Sequence, residues 1–111
     1  MEKLVRPQGG TRFLGISNFS PKQVEEILAV ATIKPKVHQI ELHPYLQQDA
    51  FVASLLKQGI AITAYSPLAN TNPTYGSLGN RAPKILANPT IAAIAKARKP
   101  IMIVFIFDFF R

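Results

Sequence analysis

The chain has 111 residues, a length that supplies one small domain. Hydrophobic residues make up 48% of it, which excludes wholesale disorder, and its lack of cysteine excludes a disulfide framework, a thiolate metal site and a cysteine nucleophile. The net charge of +7 comes from scattered basic residues with a mild cluster at Arg81, Lys84, Lys96, Arg98 and Lys99, and no basic stretch is interleaved with stacking aromatics. Nucleic acid is therefore not an expected partner, whereas a small anionic ligand such as a dinucleotide suits the charge.

Residues 1–5 read as the end of a helix that began upstream, and they carry no apolar signal-peptide core. A breaker cluster follows at Arg6, Pro7, Gln8, Gly9 and Gly10. Residues 13–18 form a short apolar run with polar residues at its end, the pattern of a buried strand. Then comes a helix start: Ser20 as cap, Pro21 at the first helical position and Gln23 completing a capping box, with Phe19 and Val24 placed as a hydrophobic staple. Val24, Ile27, Leu28 and Ala31 recur at helical spacing, and Lys34-Pro35 marks the exit.

Residues 37–42 alternate as a second strand, with Gln39, Glu41 and His43 on one face and His38, Ile40 and Leu42 on the other. Asp49 opens a helix through Lys57, with Phe51, Val52, Leu55 and Leu56 expected inward and Gly59 as its stop. Residues 60–65 are a third strand. Residues 67–87 form a long connection rich in Pro, Gly, Asn and Ser, the kind that is usually functional or mobile. Asn88 and Pro89 open a last helix over residues 90–98, with Ile91, Ile94 and Ala95 on its apolar side.

This alternation predicts an α/β fold of about three parallel strands with flanking helices. Outer apolar faces and mixed polar inner faces suit part of a (β/α)8 barrel wall, since a whole barrel takes about 250 residues. An open doubly wound sheet is the alternative, but no strand is followed by the GxGxxG of the usual dinucleotide fold.

Polar residues gather where the strands end: Ser17 and Asn18, then Gln39 with Glu41 and His43, then Tyr65 and Ser66. In a parallel barrel those ends share one rim. Ser17, Asn18 and Gln39 offer hydrogen bonds suited to a planar amide, and Tyr65 offers a flat ring for stacking. Such a set suits a nicotinamide. It equally suits strand ends that are polar only because they meet solvent, and spacing alone leaves both readings open. His38 on the outer face is expected to be structural. Glu41 and His43 are expected to pack and hydrogen-bond rather than ligate a metal, there being no third ligand at zinc-like spacing. Tyr45 reads as a packing ring.

Three stretches together resemble the aldo-keto reductases: Arg12-Phe13-Leu14-Gly15-Ile16-Ser17-Asn18-Phe19, then Gln39-Ile40-Glu41-Leu42-His43-Pro44-Tyr45, then Ala64-Tyr65-Ser66-Pro67-Leu68. They stand in the family's order and at its spacing, and the resemblance runs over residues 1–98. It implies a (β/α)8 barrel that reduces aldehydes and ketones with NADPH, of which this chain is the C-terminal part. It further implies that Ser17, Asn18 and Gln39 bind the carboxamide, that Tyr65 stacks on the nicotinamide, and that Ser66 and Leu68 begin the pyrophosphate-contacting loop. Residues 67–87 are then the loop that folds over the cofactor.

The family's catalytic Tyr, Lys, Asp and His come from earlier strands, and none of Tyr45, Tyr65 or Tyr75 matches the proton-donating tyrosine. By the resemblance the chain keeps cofactor contacts without the catalytic set, and it is expected to be inactive alone. A non-enzymatic cofactor-sensing or partner-binding module, or a truncated product without function, is the alternative.

After Arg98 the chain departs from the family. Residues 99–111 form an apolar tail, read either as an added edge strand or as sequence from an altered reading frame or unspliced segment, with the second favoured because the run is not patterned for one buried face. The run at residues 101–107 is shorter than the roughly 20 residues a spanning helix needs, so no membrane partner is expected and the expected location is cytoplasmic.

Overall fold

In the computed structural model, residues 1–6, 10–69 and 84–98 are described. Six main elements follow in chain order: β1 (Gly15–Ser17), α1 (Pro21–Val30), β2 (Val37–Glu41), α2 (Asp49–Lys57), β3 (Ala61–Tyr65) and α3 (Pro89–Arg98). The described residues fall into two compact units, one of residues 1–6, 10–40 and 48–65, the other of residues 41–47, 66–69 and 84–98.

The sheet has the order β1-β2-β3, and its three strands are parallel. Gly15 pairs with Val37, Ile16 with His38 and Ser17 with Gln39. The α/β class and the partial-barrel architecture expected from the sequence are those observed. β1 is shorter than the run of residues 13–18. Its ladder begins where Lys36 N–H donates to the Leu14 carbonyl, and it stops at Asn18, whose φ of 57° turns the chain out of the extended region.

α1 begins as its sequence dictates. Ser20 Oγ accepts from Gln23 N–H at 3.3 Å, and Gln23 Oε1 accepts from Ser20 N–H at 2.8 Å. Pro21 stands at the first position, where no N–H is missed. Phe19 and Val24 lie in one apolar cluster, so the staple is present.

α2 is secured at its other end. Gly59 N–H donates to the Leu56 carbonyl and Ile60 N–H to the Leu55 carbonyl, each at 3.0 Å. With Gly59 at φ 74°, this is a Schellman motif. Its apolar partners, Leu55 and Ile60, are both fully buried. The core of the first unit is Val24, Leu55 and Ile60, with Ile16, Phe19, Leu28, Phe51 and Ile62 packed against it. Leu56 is a correction: it is 57% exposed, because the buried line runs through Phe51 and Leu55 and Leu56 lies a further 100° round the helix.

In the second unit, Ile85, Ile91 and Ala95 form the core with Leu68 and Ala69 against it. Asn88 Oδ1 accepts from Thr90 N–H at 2.9 Å and Ile91 N–H at 3.2 Å, capping α3 as expected. Ile94, expected on the apolar side, is 37% exposed.

Residues 2–4 form one 3-10 turn rather than an α-helical end. Val5 then leaves in extended conformation and bridges to Thr11. Part of the breaker cluster (residues 7–9), residues 70–83 of the long connection with Tyr75 and Arg81, and the tail of residues 99–111 lie outside the described residues. No helix among the described residues is long and apolar enough to cross a membrane.

Candidate functional site

Strand alternation decides which side chains share a face. Ile16 of β1 and Ile62 of β3 pack on the core beneath the helices, and His38 and Ile40 of β2 are buried. Their neighbours in sequence therefore point to the opposite side of the sheet. Ser17, Gln39 and Tyr65 are thus on one face, near the C-terminal ends of three adjacent parallel strands. Ser17 is directly paired with Gln39. Ser17, Asn18 and Gln39 are exposed, and Tyr65 is half-buried.

The end of β1 is tied down residue by residue. Ser17 Oγ donates to the Gln39 carbonyl at 3.0 Å, and Asn18 N–H donates to the same oxygen at 3.0 Å. Asn18 takes the left-handed conformation, which asparagine adopts more readily than other side-chain-bearing residues. Phe19 N–H, leaving the sheet, donates to His38 Nε2 at 3.1 Å. Among the described residues the side-chain amides of Asn18 and Gln39 have no hydrogen-bond partner, so both remain free to engage a ligand.

His38 is fully buried. Its ring lies edge-on to Phe19, at 6.5 Å between centroids, and to Phe51, at 5.6 Å. Because Nε2 accepts, the neutral ring carries its proton on Nδ1, which is buried and without a partner. Burial pushes the pKa of His38 below the ordinary histidine value. The structural role expected for it holds. No local pattern in the sequence identifies its partner; the available signal is a histidine on an apolar face, which needs a polar partner somewhere.

In the second unit, His43 Nε2 lies 3.3 Å from Glu41 Oε1, and its Nδ1 is buried without a partner. Its ring meets Tyr45 edge-on at 6.4 Å. This is the packing and hydrogen bonding expected of the pair. Tyr45 does more than pack: its hydroxyl accepts from Asn88 Nδ2 at 3.0 Å. Ser66 and Leu68 also belong to this unit. Ser66 and Ala69 both have φ of 51°, and Ala69 N–H donates to the Ser66 carbonyl at 2.8 Å.

Parallel strands backed by helices, with polar groups collected at the strands' C-terminal ends on the side away from those helices, are the wall and rim of a (β/α) barrel. The sequence profile of the Aldo/keto reductase family matches residues 1–99, and the chain belongs to that family. An uncharacterized oxidoreductase of Schizosaccharomyces pombe is 48% identical over 98 residues, which are 88% of this chain and 29% of that protein. Aldo-keto reductase family 1 member A1 of Xenopus tropicalis is 42% identical over 96 residues, 86% of this chain and 28% of that protein. Among solved structures, the aldose reductase of Giardia lamblia aligns with a TM-score of 0.71 at 37% identity, covering 88% of this chain and 30% of that one. A Bombyx mori aldo-keto reductase in complex with NADP aligns with a TM-score of 0.75 at 31% identity, covering 91% and 32%. The chain thus spans about three tenths of the length of these relatives.

Proposed function

We propose that this chain is the C-terminal, nicotinamide-binding part of an NADP(H)-dependent reductase of aldehydes and ketones. Ser17, Asn18 and Gln39 hold the carboxamide, and Tyr65 stacks on the ring. The observation that most supports this is the common face of Ser17, Gln39 and Tyr65 at the ends of neighbouring parallel strands, with the amides of Asn18 and Gln39 unpartnered among the described residues. A carboxamide has two N–H donors and one carbonyl acceptor. Two side-chain amides can answer both, and the Ser17 hydroxyl, its proton already given to Gln39, keeps lone pairs with which to accept. The half-buried Tyr65 ring gives an apolar plane beside these polar groups. The complex of the Bombyx mori relative with NADP supports the choice of cofactor.

Ser66 and Leu68 begin the segment that contacts the pyrophosphate. When bound, the nicotinamide supplies hydride to a carbonyl carbon. The residues of this chain bind and orient it. The proton for the carbonyl oxygen comes from a tyrosine matched by none of Tyr45, Tyr65 and Tyr75, so the chain alone does not turn over substrate.

Titration with NADPH, followed by nicotinamide fluorescence and compared with NADH, tests this. Saturable binding is expected, weakened about tenfold or more by Tyr65→Ala as the stacking plane is lost. No binding at about millimolar cofactor overturns the assignment. Reduction of a simple aldehyde above a no-protein control overturns the predicted inactivity.

A further inference from the structure

A chain leaving a sheet strands its next backbone donor. At the end of β1 the main-chain ladder closes with Asn18 N–H on the Gln39 carbonyl. The following donor, Phe19 N–H, has no strand carbonyl to meet, and β2 supplies a side-chain acceptor instead, His38 Nε2 at 3.1 Å. Asn18 lies between these two bonds, in a left-handed conformation that asparagine tolerates better than most side-chain-bearing residues but does not prefer. It persists because both flanking amides are fixed from β2. Ser20 and Gln23 then lock the next turn.

We propose that His38 is the positioning residue of the carboxamide grip. Its neutral Nε2 holds the Phe19 amide, and through it the backbone that aims Asn18, while protonation of the ring releases that backbone. The proposal rests on the cofactor assignment above. His38 touches no part of the cofactor, being buried on the helix side of the sheet, and it acts through the Phe19 amide and the Asn18 backbone before it.

Protonation would turn Nε2 from acceptor to donor, facing it against Phe19 N–H. It would also place a charge between two phenylalanine rings. The charged residues of the flanking helices, Lys22, Glu25 and Glu26 on α1 and Asp49 and Lys57 on α2, are all exposed. β1 carries no titratable side chain, Glu41 of β2 and Tyr65 of β3 lie on the other face of the sheet, and no described acid is ion-paired with the ring. Burial favours the neutral ring in the folded chain. The stabilising bond is therefore fully present above about pH 6.5, where an unfolded histidine is neutral too, and is lost as pH falls through the lower folded value.

The test compares the full chain with His38→Gln and His38→Phe by calorimetric titration with NADP. Glutamine sets Oε1 three bonds from Cβ, as Nε2 is in histidine, and so keeps the acceptor without a titrating group. Phenylalanine keeps the ring and loses the acceptor. At about pH 7.5, His38→Phe is expected to bind NADP about tenfold more weakly, and His38→Gln within about twofold of the unaltered chain. As the pH falls below about 6.5 and on through the lower folded value of His38, to the acid limit at which the chain stays folded, the unaltered chain should lose more affinity than His38→Gln, which has no titrating ring; the cofactor's own phosphate titrates alike against both.

A folded His38→Phe with unaltered affinity overturns the proposal. So does a pH dependence shared by the unaltered chain and His38→Gln over that whole folded range, an arm that stands even if His38→Phe does not fold. An unaltered chain that binds no NADP at pH 7.5 instead overturns the cofactor assignment itself, and this proposal with it.

Discussion

The chain leaves β1 and β3 in different ways. At the end of β1, Ser17, Asn18 and Phe19 are each bonded to β2, and Ser20 closes reciprocally on Gln23. At the end of β3, Ser66 and Ala69 are both left-handed, and one main-chain bond of 2.8 Å joins them. Both exits hold candidate ligand contacts, but among the described residues only the first is bonded to a neighbouring strand. Strained backbone persists where its surroundings over-determine it, and among the described residues the density of bonds separates a grip fixed from the next strand from a turn joined by a local bond.

That contrast can be broken from below. Leu55 is fully buried in the core under the braced exit. Leu55→Ala is expected to destabilise the chain by about 2–5 kcal/mol through lost burial and a residual cavity. A thermal melt followed by circular dichroism measures it. An unchanged midpoint would mean that the core of Val24, Leu55 and Ile60 does not carry the fold.

A smaller effect is expected at the brace itself. Ser20→Ala removes one half of the capping box and should lower stability by about 1 kcal/mol, read from urea unfolding. Gln23→Ala leaves the Ser20 acceptor in place and should do less; the reverse order would mean that the Gln23 side chain is the stronger half.

The unbraced exit gives the smallest effect and the opposite sign. Ala69→Gly relieves a left-handed alanine and should raise stability by about 0.5 kcal/mol after the added freedom of the unfolded glycine is counted. A fall in the unfolding midpoint would show that packing of the Ala69 methyl on Ile85, Ile91 and Ala95 outweighs the backbone relief.

Most of the fold was legible in the sequence where the signal was local. Ser20, Pro21 and Gln23 announced α1, and Gly59 announced the end of α2, because caps act within a turn of the residues that make them. Helix faces were less legible. Leu56 and Ile94 are apolar residues at plausible spacing, but side-chain chemistry does not say how wide a stripe the fold buries.

Of the candidate site, the face shared by Ser17, Gln39 and Tyr65 follows from strand alternation, whereas the roles of these residues came from motif resemblance. The bond between His38 and Phe19 was out of reach, since it joins residues 19 apart through a strand register that no local pattern records. Asn18 carried half a signal: asparagine just past a strand marks a turn, though not a left-handed one held from the next strand.

Gly59 has one further consequence. A Cβ added there would meet nothing within 4 Å, although φ is 74°. Crowding and handedness, usually entangled when a turn glycine is replaced, are separate at this position. The penalties of Asn, Ala and Val at position 59 should therefore rise in that order with each residue's own tolerance of the left-handed region, making the end of α2 a gauge of left-handed propensity inside a folded chain.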